Sequence, residues 1–355
     1  MHFVESRRRV RCAKDTALTY DALLVLSFGG PEGPDEVMPF LENVTRGRDV
    51  PVARLQEVAD HYLHFGGVSP INAQNRALVA SIVEELAAHG LELPVFWGNR
   101  NWSPYVADAV KDMAAAGVRS ALVFVTSAYA SYSACRQYQD DLAGAAAPLG
   151  TTAPQLHKLR HYFDHPGFIT PQMDAVADVL DRIDPDRTRP RLLFVAHAIP
   201  EAMAAAAGPS GGLYVKQLEA AAALVAAAAP RVEWDLAFSS RSGPPTVPWL
   251  GPDVDEALRG IAADGATDVV VVPIGFVSDH IEVRWDLDVA AADTAKKLGL
   301  GFHRTDPPAA DARFVAMVRE LVQERLDRGA PRRALSELGP SHDVCPAGCC
   351  RVPGR

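Results

Sequence analysis

Three things are missing from this chain of 355 residues, and each excludes a class of protein. No apolar run is long enough to span a bilayer, and no apolar stretch of the secretory kind follows the first residues, so stable membrane insertion is not expected and the expected location is cytoplasmic. Positive charge is not in excess: 35 Lys and Arg against 44 Asp and Glu give a formal net charge of -9, which leaves no basic stripe for nucleic acid or an anionic membrane surface. Cysteine is scarce through the body of the chain, which argues against an extracellular disulfide scaffold.

What is there alternates strand with helix. Ala22 to Phe28, Leu93 to Trp97 and Ala121 to Thr126 read as buried parallel strands in the first half. Leu192 to Ala196, Val232 to Phe238 and Val269 to Ile274 repeat the plan, separated by an alanine-rich helix around Gln217 to Ala229. Ser103-Pro104 predicts the N-cap and first position of a helix carrying Val106, Ala109, Val110 and Met113 on one face, which Gly117 ends. A last helix is predicted over Asp311 to Asp327.

The expected fold class is α/β: two similar Rossmann-like lobes, each a parallel sheet flanked by helices, with the active-site cleft between them. The expected divisions are a loosely held arm over 1-20, a first lobe over 21-180, a second over 190-330 and a cysteine-containing tail over 331-355. The run Asp184-Pro185-Asp186-Arg187-Thr188-Arg189-Pro190 interrupts any element, and an exchange of terminal helices between lobes is left open.

Chemistry enters at His197, which ends the apolar run Leu192 to Ala196. Ligands of open α/β sheets gather at the carboxyl ends of strands, and a histidine there has a lone pair and a pKa near neutrality to offer. After the strand Val269 to Ile274 comes Gly275-Phe276-Val277-Ser278-Asp279-His280-Ile281-Glu282-Val283-Arg284-Trp285-Asp286. A helix beginning near Asp279 places Asp279, Glu282 and Asp286 on one face and turns His280 away. That acidic ladder reads either as a capping box or as a proton-transfer and metal-coordinating partner for His197.

The glycines of Phe28-Gly29-Gly30-Pro31-Glu32-Gly33-Pro34 lack the dinucleotide spacing, and Pro31 and Pro34 remove amides a phosphate needs; they read as room for a flat ligand or as a turn. Arg46, Arg48 and Ser69 offer donors for carboxylates, while Phe28, Trp97, Trp102, Tyr129 and Tyr132 offer apolar surface with a few polar tips. Together they suit a broad, flat, carboxylate-bearing aromatic ligand, although each is also an ordinary loop or core residue type.

Of the five cysteines, Cys12 lies in the arm, Cys135 in the middle, and Cys345, Cys349 and Cys350 in the last eleven residues. Three close thiols with a fourth upstream can surround zinc or an iron–sulfur cluster, or be free tail thiols.

Several long motifs resemble the ferrochelatase family. Ala196-His197-Ala198-Ile199-Pro200 is similar to its histidine motif, and Pro273 to Val283 to its catalytic glutamate motif. Phe238 to Leu250 is similar to the segment between them, and Gly66-Gly67-Val68-Ser69-Pro70 to a porphyrin-contacting region. The resemblance runs from about residue 22 to 325. It implies two Rossmann-like lobes and insertion of Fe²⁺ into a porphyrin.

The particular form resembles that of high-GC Gram-positive bacteria, which implies coproporphyrin III as the porphyrin. Protoporphyrin IX is the alternative, and a cobalt or sirohydrochlorin chelatase or a non-catalytic haem-binding module are more remote. By the same resemblance His197 and Glu282 are catalytic and meet the substrate Fe²⁺, and Arg46 and Ser69 meet the porphyrin; the acidic ladder adds Asp286 to the catalytic group, and the aromatic surface adds Phe28, Tyr129 and Tyr132 to the porphyrin contacts. Some relatives have a tyrosine where Phe28 stands, and Phe28 cannot ligate iron. Cys135, Cys345, Cys349 and Cys350 match a subset that binds a [2Fe–2S] cluster, with Cys12 as the spare. A monomer, in transient contact with other haem-pathway enzymes, is expected.

Overall fold

The computed structural model describes residues 19–48, 50–184, 188–243 and 246–351. Most of the expected arm, with Cys12, lies outside them, as do Pro185 to Arg187 of the expected boundary and Pro244-Pro245 of the central motif.

The apolar runs make two all-parallel sheets of four strands. β1 (Ala22–Ser27), β2 (Val95–Asn99), β3 (Ser120–Val125) and β4 (Gln155–Lys158) lie in the order β2-β1-β3-β4. β5 (Pro190–His197), β6 (Trp234–Ser239), β7 (Asp268–Val272) and β8 (Gly301–Arg304) repeat it as β6-β5-β7-β8. The duplicated order places a topological switch point between the two central strands of each sheet, where an open α/β sheet binds its ligand. In the second sheet that point lies between β5 and β7, which pair from Pro190 against Asp268 to Phe194 against Val272.

The edge strands β4 and β8 add to the six that the apolar runs predict. Each has four residues, Gln-Leu-His-Lys and Gly-Phe-His-Arg, and neither has the continuous apolar run of a strand buried on both faces.

The helices are α1 (Val37–Val44), α2 (Val52–His64), α3 (Pro70–Ala88), α4 (Val106–Ala115), α5 (Gln137–Ala146), α6 (Pro166–Leu180), α7 (Glu201–Ala205), α8 (Leu213–Ala226), α9 (Val254–Ala263), α10 (Ile281–Val283), α11 (Ala292–Leu298) and α12 (Ala312–Leu326). α4 starts two residues later than Ser103-Pro104 predicts, with Tyr105 as its extended N-cap. α12 matches its expected span, because Asp311 accepts a hydrogen bond from the Arg313 amide and caps it.

Each sheet has one face covered by its own helices. Leu24 and Val123 of the first sheet pack with Val110 and Met113 of α4. Leu193 and Val271 of the second pack with Leu258 of α9 and Ala295 of α11. The opposite faces share one core: Val25 and Phe124 join Phe194 and Val272 through Phe168 of α6 and Phe314 of α12. α12 lies against both α3 and α6, and α6 against α8, so the terminal helices do cross between the sheets.

This shared core fixes the ends of β5 and β7 relative to the first sheet. Burying a large apolar side chain contributes about 1.5–3 kcal/mol, so moving one sheet against the other disrupts many such contacts.

Candidate active site

His197 is the last residue of β5. Its Nδ1 lies 2.5 Å from the carbonyl oxygen of Ala198. A carbonyl only accepts, so Nδ1 carries a proton toward it, and Nε2 is the nitrogen left outside that bond. The phenol of buried Tyr214, in the first turn of α8, donates to the carbonyl of His197 itself at 2.8 Å.

The second component follows β7. The chain turns at Gly275 directly against β5, where a Cβ would meet Ala196 Cα at 2.6 Å, and the Gly275 amide donates to Val195. Only glycine permits that approach. The loop then enters α10, and the next eight residues, Arg284–Ala291, wind as a π-helix. Such winding occurs frequently at functional sites.

Glu282 and Asp286 lie in each other's field and in that of His197. Burial pushes the Glu282 carboxyl above the ordinary carboxylate range, against the opposing pull of His197. Burial does the same to Asp286, opposed first by a hydrogen bond from the Ser240 hydroxyl at 2.5 Å and then by His197 and His61.

The expected acidic ladder is therefore shorter than its sequence. Asp279 sits outside the helix, ion-paired to Arg304, and its amide donates to Gln74 of α3 at 2.9 Å. It forms no capping box. The N-cap is His280, in extended backbone and without a side-chain cap bond. Starting the helix at Ile281 frees His280 from the helical spacing that turned it away. Burial lowers the His280 imidazole to about 3, and the nearby His197 adds to that shift, so His280 is neutral.

The first lobe reaches this site through α2. Ile281 is buried among Leu41, Leu55, Ala59 and Tyr62, and His61 stacks on Trp285 with ring centres 3.9 Å apart. Phe28 leaves the end of β1 39% exposed and meets Phe40 edge-on. Arg46 and Arg48 lie in the turn after α1, and Tyr132 is half-buried.

Two of the expected porphyrin contacts are buried. Ser69 is 3% exposed at the start of α3, pressed so close to Gly30 that a Cβ there would meet Ser69 Cβ at 2.7 Å. Tyr129 is buried, its hydroxyl donating to the Ile274 carbonyl at 2.8 Å and its ring edge-on to Tyr214. Gly29 and Gly30 accordingly make room for Asn99 and Ser69, where the sequence suggested a flat ligand or a turn. Trp97 packs at the rim of the shared core, and Trp102 donates to Glu36 at 2.7 Å.

The cysteines converge far from His197 in sequence. Cys135, in the π-helical turn Tyr132–Arg136, packs with Cys349 and Cys350, and Cys345 lies against them; Cys135 Sγ is 2.8 Å from His161 Nε2. The four thiols thus lie in one cluster, and none is in a disulfide. Cys349 Sγ and Cys350 Sγ are 3.8 Å apart, and the Gly208 amide donates to Cys350 Sγ at 3.2 Å.

The neighbouring Cys135 thiol lowers the Cys345 thiol to about 5, with further help from His342 and Lys158. Burial chiefly pushes Cys349 up to about 12. Four converging soft donors, one in reach of a backbone N–H, fit a thiolate-bound metal centre. His342, with Cys345 and Cys349, supplies a fifth donor that the sequence reading missed. Its imidazole precedes the first tail cysteine by only three residues, which was the available signal.

The two-sheet frame is similar to chelatase folds. SirB from Bacillus subtilis with Fe3+ has a similar fold, with a TM-score of 0.51 at 14% identity, covering 86% of this chain and 98% of that one. The family model described as Ferrochelatase matches residues 20–326, and the chain belongs to that family. A coproporphyrin III ferrochelatase of Nocardia farcinica is 54% identical, over 94% of this chain and 97% of the relative. One of Frankia alni is 53% identical, over 96% and 89%. A ferrochelatase of Rhodopirellula baltica is 48% identical, over 93% of each.

Proposed function

We propose that this enzyme inserts Fe²⁺ into coproporphyrin III, releasing two protons and giving the iron porphyrin of haem biosynthesis. The observation that carries this reading is similarity at 50–54% identity, over most of the chain, to several enzymes named for that reaction, the Streptomyces coelicolor and Mycolicibacterium vanbaalenii enzymes among them. The site has the chemistry the reaction needs.

His197 Nε2 accepts a pyrrole proton or briefly holds the metal, since it is the nitrogen left outside the bond to Ala198 and the other is fixed. Glu282 and Asp286 carry the proton onward or guide the cation. Burial raises both carboxyls, so each can take up a proton without stranding a full buried charge. His280 stays neutral beside them and adds no positive charge to repel Fe²⁺.

On the porphyrin, Phe28 and Tyr132 are assigned apolar contact and Arg46 a propionate, with Arg48 its neighbour. Phe28 gives the metal no ligand from that position. Ser69 and Tyr129 are assigned to the porphyrin-contacting wall as well, Tyr129 also holding the Ile274 carbonyl.

Cys135, Cys345, Cys349 and Cys350 are assigned to a [2Fe–2S] cluster. When bound it supplies a staple between the tail and the 132–136 turn, since inserting Fe²⁺ requires no electron transfer. The protein is assigned to the cytoplasm as a monomer in transient contact with haem-pathway enzymes; no described helix is long and apolar enough to cross a membrane.

An anaerobic insertion assay run side by side on coproporphyrin III and protoporphyrin IX tests the substrate. A higher kcat/KM on coproporphyrin III is expected. Preference for protoporphyrin IX overturns the assignment, and haem binding without turnover overturns the activity.

A further inference from the structure

The segment between His197 and α8 touches both the catalytic histidine and the cysteine centre. From the cysteine side, the Gly208 amide donates to Cys350 Sγ at 3.2 Å, and Leu213 packs against the cluster formed by Ala130, Cys135, Cys349 and Cys350. Gly208 has φ +80, and a Cβ there would meet Leu213 Cβ at 2.5 Å, so the two ends of this loop are closely packed. The Leu213 amide closes it by donating to Ala207 at 3.0 Å.

The next residue is Tyr214, whose hydroxyl reaches the His197 carbonyl at 2.8 Å. One turn later Gln217 accepts from the Ala130 amide at 2.7 Å, joining α8 to the chain that leads into Cys135. Tyr129, beside Ala130, packs edge-on to Tyr214 and holds the Ile274 carbonyl, from which the chain runs on to Glu282.

Two buried phenols thus hold the carbonyls of His197 and of Ile274, at the start of the loop that leads to Glu282, and both belong to segments that reach the cysteines. Burial raises both well above their ordinary range, so each remains a hydrogen-bond donor at any physiological pH.

We propose that Tyr214 is a positioning residue for His197, and that the docking of Cys350 on Gly208 is transmitted to the histidine through Leu213 and Tyr214. The inference rests on His197 as the proton-accepting or metal-holding group. Its content is that the tail, far from the porphyrin-contacting segments in sequence, sets how well the histidine is aimed. A loosened carbonyl lets the end of β5 shift, and a small misplacement of a reacting group costs rate and leaves binding largely alone.

The test uses the full-length protein as purified, with Tyr214→Phe, Cys350→Ala, the double variant and His197→Ala. Tyr214→Phe is expected to lower kcat about tenfold, the loss of one positioning hydrogen bond, with the porphyrin KM within about twofold. The His197 imidazole resonances are expected to broaden or shift, with the melting temperature within a few degrees of wild type. Cys350→Ala is expected to speed amide exchange over Gly208 to Leu213 and to lower kcat. The double variant is expected to be no slower than the slower single one, because both act along one path.

An unchanged kcat and unchanged His197 resonances in Tyr214→Phe overturn the positioning role. Additive losses, or unchanged exchange in Cys350→Ala, overturn the link to the tail. If His197→Ala keeps near-normal insertion, the underlying reading of the site fails instead, and that control separates the two failures.

Discussion

Ser240 donates its hydroxyl proton to Oδ2 of Asp286 at 2.5 Å, joining the end of β6 to the π-helical turn that follows β7. Ser240 holds φ +59, the left-handed backbone region that non-glycine residues rarely occupy. Three adjacent strand ends, β6, β5 and β7, therefore contribute to one site. The bond lowers the Asp286 pKa against the upward push of burial. Ser240→Ala is expected to raise that pKa further and to move the acidic limb of the kcat profile to higher pH. A limb that stays where it was in wild type removes Asp286 from the proton path.

Replacing His197 with alanine is expected to reduce iron insertion by about 10²–10⁴-fold, the usual contribution of a positioned acid–base group. Porphyrin binding, followed by fluorescence quenching, is expected to change by less than about threefold, since the imidazole touches the reacting centre and remote groups supply the affinity. Near-normal insertion in this variant contradicts the histidine's role.

Glu282 gives a sign-specific prediction for stability. Its folded-state pKa is raised, mainly by burial, so the folded state holds its proton to higher pH than the unfolded chain does. Below the unfolded value both states are protonated and nothing is lost. As pH rises above the unfolded value the unfolded chain ionises first and the relative stability falls, levelling off once pH has passed the folded value. Glu282→Gln is expected to have a melting temperature close to wild type at low pH and above it at alkaline pH, with greatly reduced insertion throughout. A difference that shrinks with rising pH has the wrong sign.

Arg160 and Glu324 form a bidentate pair at 2.7 and 2.8 Å in the interior, and Arg160 also donates to the Arg333 carbonyl at 2.9 Å, where the tail leaves α12. Glu324→Ala leaves a buried guanidinium without its counter-charge and is expected to cost about 3–5 kcal/mol in urea denaturation. Glu324→Gln, which keeps one acceptor oxygen for the guanidinium, is expected to lose less. A cost below about 1 kcal/mol for the alanine variant counts against this anchor.

Anaerobically purified wild type is expected to show visible charge-transfer bands and about two irons per chain, both lost in Cys135→Ser. Limited proteolysis is expected to cut that variant after α12 faster than wild type. A colourless, iron-free wild type that is fully folded and active removes the cluster from the protein.

The α/β plan, six of the eight strands and the strand-end place of His197 are legible in the order of residues alone, because long apolar runs bury in only a few ways. The motifs also point to the family, to Glu282 and Asp286, and to the four cysteines. Local spacing is enough where a residue's neighbours in the chain are its neighbours in space.

Other features exist only through packing. Asp279 leaves the acidic ladder because Arg304 of an edge strand with no apolar run pairs with it, and His280 joins the site because the helix starts two residues later than spacing suggests. Ser69 and Tyr129 go inside because Gly30 and Ile274, distant in sequence, take up their polar and apolar surfaces. Tyr214 and Ser240 acquire roles through a single hydrogen bond each, across 17 and 46 residues of chain. No periodicity encodes such contacts; they form once two sheets share a core.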